Sequence, residues 1–325
     1  MKKISIPAMI AAIAMTAASC SRNDELNAPK DNFPADGVIR VTADVRAPQT
    51  RAGMTATDLD KFYLVVENSG GVSEYSYFAA MKKADGVWKS YDASNNSLTM
   101  LWQNKTTPVY AMAVAVPQTL NQSHLTAPLS VSVEQNQSTA ENIRKSDVLM
   151  MAVKTVNPAT DLTADGKMKV AFKHQFSKLN LTVKLGTEFN MTTAGTDTNP
   201  ISAVAVEGTN TSMSWTINSN TLTNPSNLLP ITPYAVSYTR GVGETTQAEA
   251  KYECILMPHD TQTDAFGVKI TIGGKNYVWH ITGSLTLAPD TQYNLTLTVG
   301  KDVITMGGFS VTPWTDGGTT SIETE

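Results

Sequence analysis

The feature that most constrains this chain is a period-two alternation of apolar and polar residues, repeated in short runs along most of its length. In GVIRVTADV, Ile39, Val41, Ala43 and Val45 fall on one side, and Arg40, Thr42, Asp44 and Arg46 on the other. Such a run is a half-buried strand, because successive side chains of an extended backbone point to opposite faces. Phe62, Leu64 and Val66 alternate in the same way, as do Val109, Ala111, Ala113 and Ala115, then Leu129, Val131 and Val133, then Met168, Val170 and Phe172. The later half repeats the pattern at Leu179, Leu181, Val183 and Leu185, at Val268, Ile270 and Ile272, at Tyr277, Trp279 and Ile281, and at Tyr293, Leu295, Leu297 and Val299. Short strands separated by Asn, Asp, Gly and Pro predict an all-β chain of sandwiches rather than a parallel sheet wound with helices. Gly273-Gly274-Lys275-Asn276 reads as a hairpin tip and not a phosphate loop, since no helical pattern follows it. The one helical segment lies in STAENIRKSDVLMMA, where Ser138 is the expected cap with Glu141 three residues on.

The chain opens on MKKISIPAMIAAIAMTAASC, a basic start followed by an apolar run that ends in small residues. It is too short to span a membrane and reads as a secretory signal, residues 1–19, outside the fold. Ala17-Ala18-Ser19-Cys20 resembles the lipobox of bacterial lipoproteins, with Ala where Leu is usual at the third position before the cysteine. That resemblance implies acylation of Cys20, with palmitate-type chains holding the protein to outer-membrane lipid. Each buried methylene of such a chain contributes about 0.8 kcal/mol. Residues 20–36, SRNDELNAPKDNFPADG after the cysteine, are polar, acidic and proline-containing, and read as a flexible tether. Its opening Ser21-Arg22-Asn23-Asp24-Glu25 resembles an acidic surface-export signal, apart from Arg22. The length beyond the tether suits two domains. The turn signals Asn157-Pro158 and Asp165-Gly166 place the division near residue 160, giving domains over 37–159 and 160–325.

Little in the sequence suggests catalysis or a cofactor. Besides Cys20 there is one cysteine, Cys254, which alternates with Tyr252 and Leu256 on an apolar strand face and reads as a small core residue. Four histidines and that cysteine are too scattered for a metal site at recognised spacing, so no metal or cofactor is expected. A net charge of −4 with no basic cluster argues against nucleic acid as a partner. His259-Asp260 reads as a loop and His280 as strand surface, and no nucleophile elbow or paired carboxylate motif accompanies them. The chain is expected not to be an enzyme.

Several longer segments together resemble one family. VAFKHQFSKLNLTVKL, a strand ending near His174 and a second beginning beyond Phe176, is similar to the start of the second domain of fimbrillins, the subunits of type V pili. SDVLMMA before it, ECILMP in the later half, LAPDTQYNLTLTVGKDVI with Tyr293, and SVTPWTDGG with Trp314 agree in order, and together they span most of residues 37–320. For His174 itself a satisfied histidine at a strand bend is expected, not a metal ligand.

The resemblance implies two tandem transthyretin-like β-sandwich domains, exported as a lipoprotein to the cell surface and built into a fimbrium that supports adhesion. It further implies proteolysis after an arginine in the loop behind the first strand. In DVRAPQTRAG, Pro48 ends the ladder and a small polar tip follows, so Arg51 is the expected cleavage point and Arg46 the second choice. The removable strand, 37–46, carries Ile39, Val41, Ala43 and Val45. A C-terminal strand of the next subunit would fill the vacated groove, with Phe309, Val311 and Ile322 as its anchoring residues and other pilus subunits as the partners. A competing expectation is a surface lipoprotein that captures a host or bacterial glycan on aromatic side chains, with Trp88 and Trp102 as the candidates.

Overall fold

The computed structural model describes residues 31–45, 53–69, 74–190 and 198–314. In its first half the strands are β1 (Arg40–Val45), β2 (Lys61–Asn68), β3 (Ser76–Ala84), β4 (Val87–Tyr91), β5 (Val109–Ala115), β6 (Leu129–Ser132), β7 (Leu149–Val156) and β8 (Lys167–His174). Then follow β9 (Ser177–Leu185), β10 (Ile201–Glu207), β11 (Asn210–Thr216), β12 (Thr221–Leu228), β13 (Tyr234–Thr239) and β14 (Ala248–Leu256). The last are β15 (His259–Asp260), β16 (Gly267–Ile272), β17 (Lys275–His280), β18 (Thr286–Leu287), β19 (Thr291–Val299) and β20 (Ile304–Pro313). The fold is all-β, as the alternation requires.

Seven strands hydrogen-bond side by side in the order β1-β8-β7-β5-β2-β3-β4. One face of this sheet collects Val41, Phe62, Leu64, Ala111, Leu149, Val170 and Phe172 into a single apolar core, with Phe62 and Phe172 meeting edge to face at 5.3 Å. Residues just before β1 bond to the segment that follows β4: Ile39 N–H donates to Met100 O and Trp102 N–H to Gly37 O, both at 2.8 Å. The sheet therefore curls until its two edges meet around that core.

A five-stranded sheet, β13-β14-β9-β19-β20, organises the later half, with three-stranded sheets β10-β16-β17 and β12-β11-β6 and a small β15-β18 pair. The opposite face of the seven-stranded sheet, through Tyr63, Val65, Met112 and Val114, shares a second core with these strands. Cys254 is fully buried in that core, and burial pushes its thiol pKa up. Trp279 packs partly buried against it. Gly273 and Gly274 turn the β16–β17 hairpin with φ of 56° and 80°, the left-handed pair a two-residue tip demands.

Four details differ from the sequence reading. The helix α1 (Ala140–Lys145) is capped by Thr139, whose hydroxyl accepts from Asn142 N–H, while Ser138 lies outside it and bonds to Asn136. The capping residue is the one three positions before the amide it accepts from, which is Thr139. Strand β8, which a division near residue 160 assigns to the second domain, pairs with β1 and β7 instead, so sheet membership changes between His174 and Ser177. Strand β6 also crosses the expected division, pairing Leu129–Ser132 with Ser212–Trp215. Two acidic residues expected on polar strand faces are buried: Asp44, with Lys169 Nζ 3.9 Å away, and Glu253, which pairs with the fully buried Lys178 at 3.1 Å. Desolvation lowers the Lys178 pKa, and Glu253 opposes that shift.

Candidate strand-exchange site

Strand β1 lies at the edge of its sheet and runs parallel to β8, in register from Arg40 opposite Lys167 to Val45 opposite Phe172. Its partner is more than a hundred residues away in sequence, so local periodicity could not reveal the pairing. Ile39, Val41, Ala43 and Val45 are each 4% exposed or less and sit together in the first core. Burying the three larger of these side chains contributes on the order of 5–9 kcal/mol, at roughly 1.5–3 kcal/mol each. That is comparable to the whole stability of a domain. Arg46, Arg51 and Cys20 lie outside the described residues.

The chain re-enters at Gly53, where it is held tightly. Met54 N–H donates to Asp147 Oδ2 at 2.7 Å, and His174 Nδ1, which must carry its proton here, donates to the same carboxylate at 2.9 and 3.1 Å. The Trp314 ring stacks on His174 with centroids 3.8 Å apart and planes 6° from parallel. Asp147, His174 and Trp314 are all fully buried. Each is placed by a different element. Asp147 follows α1, whose only buried residue, Ile143, anchors the helix; His174 ends β8; Trp314 comes directly after β20 and its backbone N–H donates to Asp290 O at 2.8 Å. Gly53 has φ +94°, and a Cβ there would sit 2.9 Å from Trp314 and 3.0 Å from Asp147 Oδ2. One cluster thus joins the chain just beyond the expected cleavage loop to the end of the last strand. His174 and Trp314 stand out in the sequence, but nothing in their spacing announces that they meet.

Strand β20 occupies the edge of the five-stranded sheet, bonded on one side to β19. Ile304, Met306, Phe309 and Val311 face the same way as the buried Val299, Leu297, Leu295 and Tyr293 opposite them, a bulge between Thr296 and Leu297 keeping the register. Phe309 is half-buried against Tyr293 at 6.2 Å, whereas Met306 and Val311 remain exposed. Ile322 lies outside the described residues.

The other candidates are structural in character. His259 opens β15, accepts from Asn210 N–H through Nε2 at 3.4 Å and donates through Nδ1 to Met257 O at 2.9 Å; burial lowers its pKa. Asp260 accepts from the Thr286 hydroxyl at 2.6 Å. Trp102 is buried, and Trp88 lies edge-on against Phe62 at 4.7 Å, so the two do not form an exposed aromatic platform. Among the described residues, no group of three His, Cys, Asp or Glu side chains could hold a metal ion, and no helix is long and apolar enough to cross a membrane.

A family model described as fimbrillin-like matches residues 46–314. No curated protein matches the sequence. Among solved structures, a candidate cell adhesion protein of Bacteroides ovatus is 13% identical with a TM-score of 0.60, over 86% of this chain and 99% of that one. A candidate cell adhesion protein of Bacteroides uniformis is 16% identical with a TM-score of 0.54, over 87% of this chain and 100% of that one. The tip fimbrial protein Mfa3 of Porphyromonas gingivalis, truncated at its C-terminus, is 14% identical with a TM-score of 0.47, over 85% and 99%.

Proposed function

The chain belongs to the fimbrillin-like family, and from that premise we propose that it is a structural subunit of a surface fimbrium, activated by proteolysis and polymerised by strand exchange. The precursor is exported as a lipoprotein acylated at Cys20 and held in the outer membrane. Cleavage after Arg51 releases β1, and the C-terminal segment of a neighbouring subunit, from Phe309 and Val311 to Ile322, takes its place. The proposal keeps two sandwich domains, with their seam moved to the passage from β8 to β9. It assigns the chain no catalytic role.

The observation that supports this reading most is β1 itself, an edge strand that, with Ile39 just before it, buries four apolar side chains and is followed within a few residues by the arginine loop. Without it the first core opens, and β8 loses its hydrogen-bonded neighbour from Lys167 to Phe172. A cut subunit is therefore driven to acquire a replacement strand. Conversely, β20 can leave its sheet without separating the central strands, since it bonds only to β19.

The test is treatment of the purified precursor with an arginine-specific protease, followed by electron microscopy. Fibres should form after cutting, and not with Arg51→Ala combined with Arg46→Ala. Fibres assembled from the uncut double variant would overturn the mechanism. Intact-mass analysis of shed fibres separates a stalk subunit, which we favour, from an anchor: a polypeptide still beginning at acylated Cys20 would refute the stalk assignment.

A further inference from the structure

A cavity on the β2–β3 pair has no part in strand exchange. Lys61 stands directly opposite Lys82, and Tyr63 opposite Ala80, on the sheet face that does not carry Phe62. These four residues and Phe78 wall a cavity of about 230 Å³, closed on another side by the turn that holds Asp92 and Asn95. Like charges directly opposite across a strand pair cost stability, so this placement needs a compensating partner.

Among the described residues no carboxylate pairs with either lysine. Lys61 Nζ lies 4.7 Å from the Tyr63 ring centroid; Lys82 Nζ lies 5.1 Å from that of Tyr91 and donates to Asn95 Oδ1. Neither ammonium is in an ion pair among the described residues. Asp92 is committed to its own turn, accepting from Ser94 N–H at 2.9 Å, Asn96 N–H at 2.8 Å and Asn96 Nδ2 at 3.1 Å. The Asn96 bonds lead the interactions that hold its carboxyl below the usual range. The buried Tyr63 hydroxyl has no hydrogen-bond partner among the described residues, and the Tyr63 and Phe78 rings stack with centroids 5.6 Å apart and planes 20° from parallel.

We propose that this cavity binds an acidic sugar unit of a glycan, its anionic group between the Lys61 and Lys82 ammoniums and a C–H face of its ring against the aromatic wall. An anion there removes the repulsion and gains charge-assisted hydrogen bonds. The positive C–H edges of a sugar ring complement the negative π face of an aromatic ring. Lysine ammoniums act as point charges without the planar fork of arginine, so they accept a carboxylate or a sulfate on the sugar. The volume is below that of pockets for drug-sized ligands and suits a single ring. A flexible acidic side chain of a protein would satisfy the lysines and leave the aromatic wall uncovered.

Titration calorimetry and saturation-transfer NMR with the full chain would compare glucuronate, glucose 6-sulfate, glucose and glutarate. Either acidic sugar should bind in a salt-sensitive way, and whichever binds more tightly distinguishes carboxylated from sulfated glycans. Glucose and glutarate should be at least about tenfold weaker, and Lys61→Ala and Lys82→Ala should each cost about tenfold, the usual size of one lost charge-assisted bond. Ala80→Leu, which fills the floor and keeps both lysines, should abolish binding. Failure of both acidic sugars to bind, equal binding of glutarate, or unchanged binding by the double lysine variant would overturn the assignment. The monomer is sufficient for the measurement, so its outcome is independent of whether fibres form by strand exchange.

Discussion

Replacing Gly53 by alanine tests the packing that holds the chain just beyond the arginine loop. At φ +94° an L-residue is strained, which costs about 1–2 kcal/mol. The new Cβ would also stand 2.9 Å from Trp314 and 3.0 Å from Asp147 Oδ2, both tighter than ordinary contact. Neither neighbour can yield cheaply. The Trp314 ring is fully buried and stacked on His174, and the Asp147 carboxylate accepts from both Met54 and His174. Overpacking of this kind costs about 1–3 kcal/mol, so the total expected is about 2–5 kcal/mol. Gly86 supplies the control, since its φ is +77° but nothing lies within 4 Å of its would-be Cβ; Gly86→Ala should show the backbone strain alone. Urea unfolding of the uncut precursor measures both, with the midpoint and slope fitted together. In a Trp314→Ala background the extra penalty at Gly53 should shrink toward that of Gly86, as coupled neighbours require. If Gly53→Ala costs no more than Gly86→Ala, the tight junction between loop, helix, β8 and β20 is refuted.

Phe172→Ala should destabilise the precursor by about 3–5 kcal/mol in the same unfolding assay, because Phe172 is fully buried, packs on Phe62 and stands opposite Val45. Tyr293→Phe should cost about 1–3 kcal/mol, since the hydroxyl donates to Thr286 O at 2.7 Å and accepts from Ala288 N–H at 2.8 Å, both left unsatisfied. Lys178→Met alone should cost about 3–5 kcal/mol by removing the cation 3.1 Å from buried Glu253, whereas Lys178→Met with Glu253→Met should be near neutral or stabilising, which thermal melts of the parent and both variants would compare. His259 has a folded-state pKa below its ordinary 6.5, so the unfolded chain binds more protons and stability falls as pH drops below about 6.5. Unfolding midpoints at about pH 7 and pH 5.5 should therefore converge in His259→Gln relative to the parent.

What the sequence made legible was local. Alternation found strands such as β1, β2, β8, β9 and β19, paired glycines found the β16–β17 tip, and Cys254 between Tyr252 and Leu256 announced a core face, because each is decided by residues within a few positions of one another. Pairing was not legible. Nothing in RVTADV says that its neighbour is KMKVAFKH, and nothing in LSVS says that it joins Ser212–Trp215 across the expected domain division. Burial of charge was also hidden, since Glu253 reads as the polar half of an alternating strand until Lys178 arrives beside it from β9. The same limit explains the candidate site. Asp147, His174 and Trp314 lie in three segments noticed separately in the sequence, but only tertiary structure brings a carboxylate, an imidazole and an indole around Gly53. A strand can be read from one stretch of chain, whereas the groove it occupies belongs to residues that the alternation assigns to no common neighbourhood. Substitutions in β8 and β20 should therefore bear on strand retention as directly as substitutions in β1 itself.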